Sequence, residues 1–166
     1  PEQQLGLQML GQYSYTTKKI TIFANENVEY ADDYALALLH EAVHMALDDL
    51  GIHDDPAMIE RFNTALVMTD YYSVDEYRAV FEDLKSSYDT YVKSENGKET
   101  IREEMVANEL SRLMLSGAMD VWLEEVREVA PSLTEALDSV LNTIGYEQNE
   151  ENNHERFDEE SFVAQR

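Results

Sequence analysis

Residues 32–51 read DDYALALLHEAVHMALDDLG, and the fold of the whole chain turns on this stretch. Its apolar positions, Ala35, Leu36, Leu39, Val43, Ala46, Leu47 and Leu50, recur at helical spacing. Asp32 or Asp33 is suited to cap the start of the helix and Gly51 to stop it. Inside it, His40-Glu41-Ala42-Val43-His44 forms an HExxH pattern. Residues at that spacing lie on one helix face, a turn apart, so the two imidazoles converge and can hold one Zn²⁺. Glu41 between them can reach a water on such an ion, the position of a general base in metal-assisted hydrolysis. Leu38, Leu39, Val43 and Met45 surround the motif with apolar groups. Polar side chains within a buried helix need partners, and a metal ion is one.

A hydrolytic zinc site takes three protein ligands and keeps one position open for water. The chain has no cysteine, so the third ligand must be His, Asp or Glu. A third-histidine pattern would place Gly and His where this sequence has Leu47 and Leu50. His53, just past Gly51, is one option. Asp48 and Asp49 read as solvated charges at a helix end. The other option is a glutamate on a later helix, where residues 102–109, REEMVANE, offer Glu103, Glu104 and Glu109. Glu104 shares a face with Ile101 and Asn108, and Ala107 leaves room for a second helix to approach closely.

Around this centre the periodicities predict an α+β fold, mostly α. Residues 1–12 are weakly amphipathic. Tyr13 and Tyr15 alternate with polar residues, Thr16 to Lys19 can turn, and Ile20 to Phe23 is apolar and rich in β-branched residues, together a hairpin ended by Asn25 to Asn27. After the HExxH helix, Pro56 suits the first turn of a second helix. Ser73 with Glu76 resembles a capping box at the start of a third. Asn96-Gly97 signals a turn before a fourth helix over about 99–116. Gly117 separates it from a segment at 119–129, and Pro131 begins a last helix ending near Gly145. Residues 1–146 therefore read as one domain, and 147–166 as an acidic, mobile tail.

Charge narrows the partners. Against 35 acidic residues there are 12 basic ones, a net −23. Without a Lys/Arg excess, neither nucleic acid nor an anionic membrane surface is an expected partner. No apolar run approaches the roughly 20 residues needed to span a bilayer. The expectation is a soluble protein, cytoplasmic or virion-associated. Its field keeps it in solution and draws basic substrates and metal cations. The acidic runs lack the spaced oxygen ligands of a calcium loop. The chain opens on Pro1 without an initiator Met, which reads as a product processed, or a domain cut, from a larger polypeptide or assembly.

HEAVH at 40–44 followed by EMVANELSRLML at 104–115 resembles the ImmA/IrrE-type metallopeptidases, including the polyvalent metallopeptidase domains of phages and mobile elements. That family carries HExxH and, downstream, a Glu-x-x-Ala-Asn segment leading into an apolar stretch, matched here by Glu104, Ala107, Asn108 and Leu113-Met114-Leu115. The strand at 19–24, KITIFA, also lies where the family places its substrate-side strand. The resemblance covers about residues 18–116 and implies a minimal gluzincin-like zincin fold: a small antiparallel sheet, the HExxH helix and a glutamate helix. It implies Zn²⁺ held by His40, His44 and Glu104, with Glu41 as general base of a zinc endopeptidase acting on protein or peptide. The chain departs from the family in a longer stretch between His44 and Glu104, in Glu109-Leu110 where Phe-Ala is usual, and in Ser116-Gly117 where a proline is usual. Asn108 is available to orient an imidazole, and Tyr71, Tyr72, Tyr77 or His53 to assist in the transition state. The competing reading is a catalytically inactive zincin-fold module that binds proteins through its tyrosines and acidic surface.

Overall fold

The computed structural model describes residues 10–23, 31–88 and 97–147. The acidic tail beyond Glu147, the first nine residues and the expected strand end at Asn25 to Asn27 lie outside them. Among the described residues the fold is α+β and mostly α, with one two-stranded antiparallel sheet.

Strands β1 (Gly11–Ser14) and β2 (Lys19–Ile22) pair with Gly11 opposite Ile22 and Ser14 opposite Lys19. The loop between them starts one residue earlier than the alternation predicts, because Ser14 gathers its amides. Lys18 N–H donates to the Ser14 carbonyl (2.8 Å) and Thr17 N–H to its Oγ (3.1 Å). Lys18 closes the loop in the left-handed region, at φ 60°. Tyr15 consequently opens the loop instead of ending the strand.

Helix α1 (Ala31–Asp49) carries HExxH and lies at the centre of the molecule: the hairpin, α4 and α6 all pack against it. Val43, Ala46 and Leu47 on it are fully buried. Gly51, at φ 75°, ends the helix as expected and turns the chain through Ile52–Asp54, one turn of 3₁₀ helix. In α2 (Pro56–Met68), Pro56 takes the first turn and the Asp55 side chain accepts from Met58 N–H. The capping box forms at α3 (Val74–Tyr88): Ser73 N–H donates to Glu76 Oε1 (3.0 Å) and Glu76 N–H to Ser73 Oγ (3.1 Å).

Helix α4 (Gly97–Ser116) stops at Gly117 (φ 80°), where Ala118 N–H returns to the Leu113 carbonyl. Helix α5 (Met119–Val129) follows. Pro131 opens a 3₁₀ turn, Pro131–Leu133, before α6 (Thr134–Ile144), a small departure from the single last helix expected from sequence. No described helix is long and apolar enough to cross a membrane.

The pair α2–α3 fills the long stretch between the two motifs. It is clamped to α4 through Asn63, which accepts from Tyr77 Oη (2.7 Å) and donates to the Arg102 carbonyl (3.0 Å). The core runs through Leu47, Met105, Met119, Leu123, Leu137 and Leu141. Ala107, with no exposed surface, sits one turn along α4 from Glu104. A larger side chain there would wedge α4 outward and carry the carboxylate with it. Ala107→Leu is expected to cost about 1–3 kcal/mol of stability, read from urea denaturation.

Candidate metal centre

Helix periodicity brings His40 and His44 onto one face of α1, with their rings edge to face and centroids 4.8 Å apart. Their Nε2 atoms are 3.2 Å from each other. Across the groove, α4 presents Glu104, with Oε2 2.9 Å from His40 Nε2 and Oε1 3.0 Å from His44 Nε2. Around a tetrahedral ion with bonds of about 2.0–2.1 Å, neighbouring ligand atoms stand roughly 3.3 Å apart. The two nitrogens stand close to that spacing and each faces one oxygen of Glu104, so the three side chains can close around a single ion. His40, His44 and Glu104 can hold a metal ion, and no other group of three or more such ligands was found among the described residues.

Proton positions strengthen the fit. His44 Nδ1 lies 2.5 Å from Glu103 Oε2. A carboxylate only accepts, so Nδ1 carries a hydrogen and donates it. In a neutral ring the Nε2 of His44 is then a bare lone pair aimed at the acceptors of Glu104. That arrangement calls for positive charge, either a proton on the ring or a metal cation. Burial opposes an imidazolium here, but Glu104 and then Glu103 outweigh it and raise the His44 pKa. Burial likewise opposes the Glu104 charge, yet His44 and His40 hold that carboxyl well below its usual range.

Glu41 stands beside this triangle, Oε2 3.8 Å from His40 Nε2, with 12% of its side chain exposed. Burial pushes its pKa up, the two imidazoles pull against that, and the Glu104 charge adds to the rise. A backbone hydrogen bond from Tyr13 also steadies the carboxylate. The hairpin crosses α1 closely at this point. A Cβ on Gly11 would sit 2.8 Å from Ile22 Cδ1, 3.2 Å from the Thr21 carbonyl oxygen and 3.3 Å from Glu41 Cγ. Gly11→Ala should therefore crowd Glu41 and cost about 1 kcal/mol, measured by chemical denaturation, while leaving the three-ligand triangle intact.

Beyond the triangle, Glu103 is the hub. Its side chain, 7% exposed, accepts from His44 Nδ1, from Tyr15 Oη (2.7 Å to Oε2) and from His53 Nδ1 (2.7 Å to Oε1). Tyr15 stacks on the His53 ring, centroids 4.1 Å apart. The hairpin is also pinned to the end of α1 at Asp48, which accepts from Tyr13 Oη (2.7 Å) and Lys18 Nζ (2.6 Å).

The remaining residues singled out from sequence fall as follows. His53 is not among the three converging ligands and joins the centre through Glu103 and its stack on Tyr15. The Tyr71 hydroxyl donates to Glu109 Oε2 (2.7 Å), and Tyr72 packs edge-on against Tyr71. Glu109, with its Arg112 partner at 2.6 Å, is turned about 140° around α4 from Glu104, so this cluster is separate from the metal triangle. Tyr77 is engaged with Asn63. Asn108 is half-buried on α4, one turn beyond Glu104. Tyr15 and the hub role of Glu103 were not read from sequence. The only sequence signal for them is a second glutamate beside Glu104 and an aromatic at a hairpin turn.

No family model matches this chain, and no curated protein or solved structure is detectably similar to it.

Proposed function

We propose that this protein is a zinc-dependent endopeptidase of the gluzincin kind with a minimal zincin fold, related to the ImmA/IrrE-type enzymes. The observation that carries the reading is the triangle of His40, His44 and Glu104 with Glu41 poised at 3.8 Å from one of its corners. Two imidazoles and one carboxylate suit Zn²⁺ better than the all-oxygen sets that hold Ca²⁺ or Mg²⁺. Bound there, the ion would supply a Lewis acid that makes water acidic near neutral pH and polarises a peptide carbonyl.

The rest falls to the chain's own groups. Glu41 takes the proton of the attacking water and returns it to the leaving amide nitrogen. The outer edge of β2 pairs with no other described strand. An extended peptide can add there, gaining main-chain hydrogen bonds. The net charge of −23 favours basic substrates over acidic ones.

Elemental analysis of the purified chain and cleavage of a degenerate peptide library, with Glu41→Gln as control, test this reading. One zinc per chain and cleavage lost in the control are expected. Zinc bound with no cleavage by either protein would leave a binding module in place of an enzyme.

A further inference from the structure

We infer that Glu103 is a positioning residue, holding His44 in the tautomer that presents Nε2 to a cation and tying that ligand to the β-hairpin through Tyr15. The inference rests on the zinc reading above and concerns a residue outside the ligand triangle. Glu103 and Glu104 are adjacent on α4, so their side chains leave the helix about 100° apart. The His44 ring lies between them, with Nδ1 2.5 Å from Glu103 and Nε2 3.0 Å from Glu104. One carboxylate fixes which nitrogen carries the hydrogen, and the other marks where the free lone pair must point. Metal-bound histidines are commonly oriented in this way by a second group on the far ring nitrogen.

Glu103 is itself held from two further directions. The same Oε2 that receives His44 also receives Tyr15 Oη from the hairpin loop, and Tyr15 Oη is 3.3 Å from His44 Nδ1. The other oxygen receives His53 Nδ1 from the turn after α1. Three donors from separate pieces of chain thus converge on a carboxylate only 7% exposed. A group that merely filled space would not require an ionisable side chain at this position, since an apolar one is easier to bury. The hairpin that carries the outer strand edge is therefore bonded to the partner of a metal ligand.

The test uses the full chain with Zn²⁺ alone as probe. Affinity is measured by chelator competition, and the His44 ring by long-range ¹H–¹⁵N correlation. Wild type should show a single Nδ1-protonated His44 once zinc is bound. Glu103→Leu should bind zinc about 10- to 100-fold more weakly, with the preference between ring nitrogens lost. Glu103→Gln keeps an acceptor for Nδ1 but not the charge, so it should retain the tautomer with intermediate affinity. Tyr15→Phe keeps the stack on His53 and loses one hydrogen bond, and should weaken zinc about 2- to 10-fold. If Glu103→Leu does not fold, Glu103→Gln decides. A folded Glu103 variant that binds zinc within twofold of wild type overturns the inference while leaving the peptidase reading untouched. Wild type that takes up no zinc overturns both.

Discussion

Glu41→Gln is expected to bind zinc as wild type does and to hydrolyse peptides about 10²- to 10⁴-fold more slowly. The substitution keeps the size of the side chain and removes only its ability to take a proton. Glu41 is not one of the three converging ligands, so the triangle of His40, His44 and Glu104 should persist. Its Oε2 lies 3.8 Å from His40 Nε2, next to the ligand set without bridging it. Zinc content and turnover should therefore separate cleanly. Burial pushes the Glu41 carboxyl up toward its protonated form, so an uncharged amide is well tolerated there and folding should not suffer. A Glu41→Gln protein that cleaves as fast as wild type would remove the general base from the mechanism.

Glu104→Ala is expected to abolish stoichiometric zinc binding. Loss of a direct ligand should exceed the about 10- to 100-fold cost of losing an outer partner. A second measurement follows by mass action. Zinc at 100 times its dissociation constant stabilises the wild-type fold by about 2.7 kcal/mol. In a chain of this size that raises the melting temperature by roughly 5–10 °C. Glu104→Ala should show almost none of that rise. Zinc stoichiometry surviving in this variant would move the third ligand elsewhere.

Much of this architecture is legible locally. The period of α1 and its Gly51 stop, the Ser73–Glu76 capping box and the breaks at Gly117 and Gly145 are all written in neighbouring residues. HExxH is equally local: two histidines at that spacing must share a helix face wherever the helix lies. Tyr15 shows where such reasoning ends. Alternation with Tyr13 places it in a strand, yet the Ser14 hydroxyl and carbonyl capture the loop amides and release it to reach Glu103, 88 residues away. Likewise, REEMVANE points to Glu104 through its likeness to a Glu-x-x-Ala-Asn segment, but nothing in it says what Glu103 and Glu109 face. Glu103, Glu104 and Glu109 differ only in their angle around α4, and the rotation of α4 against α1, α2 and α3 is set by packing of the whole core.

By itself, then, the sequence determined a mostly helical chain and two imidazoles and a carboxylate bunched on one helix face, since both depend on backbone geometry over a few residues. The Glu-x-x-Ala-Asn likeness already points to Glu104, which the tertiary structure brings to the two imidazoles; only the tertiary structure decided that Glu103 grips His44 from behind and that Glu109 joins Tyr71 and Arg112 instead. Those outcomes depend on how helices distant in sequence are rotated and seated against one another, and that is settled by side-chain volumes across the entire core.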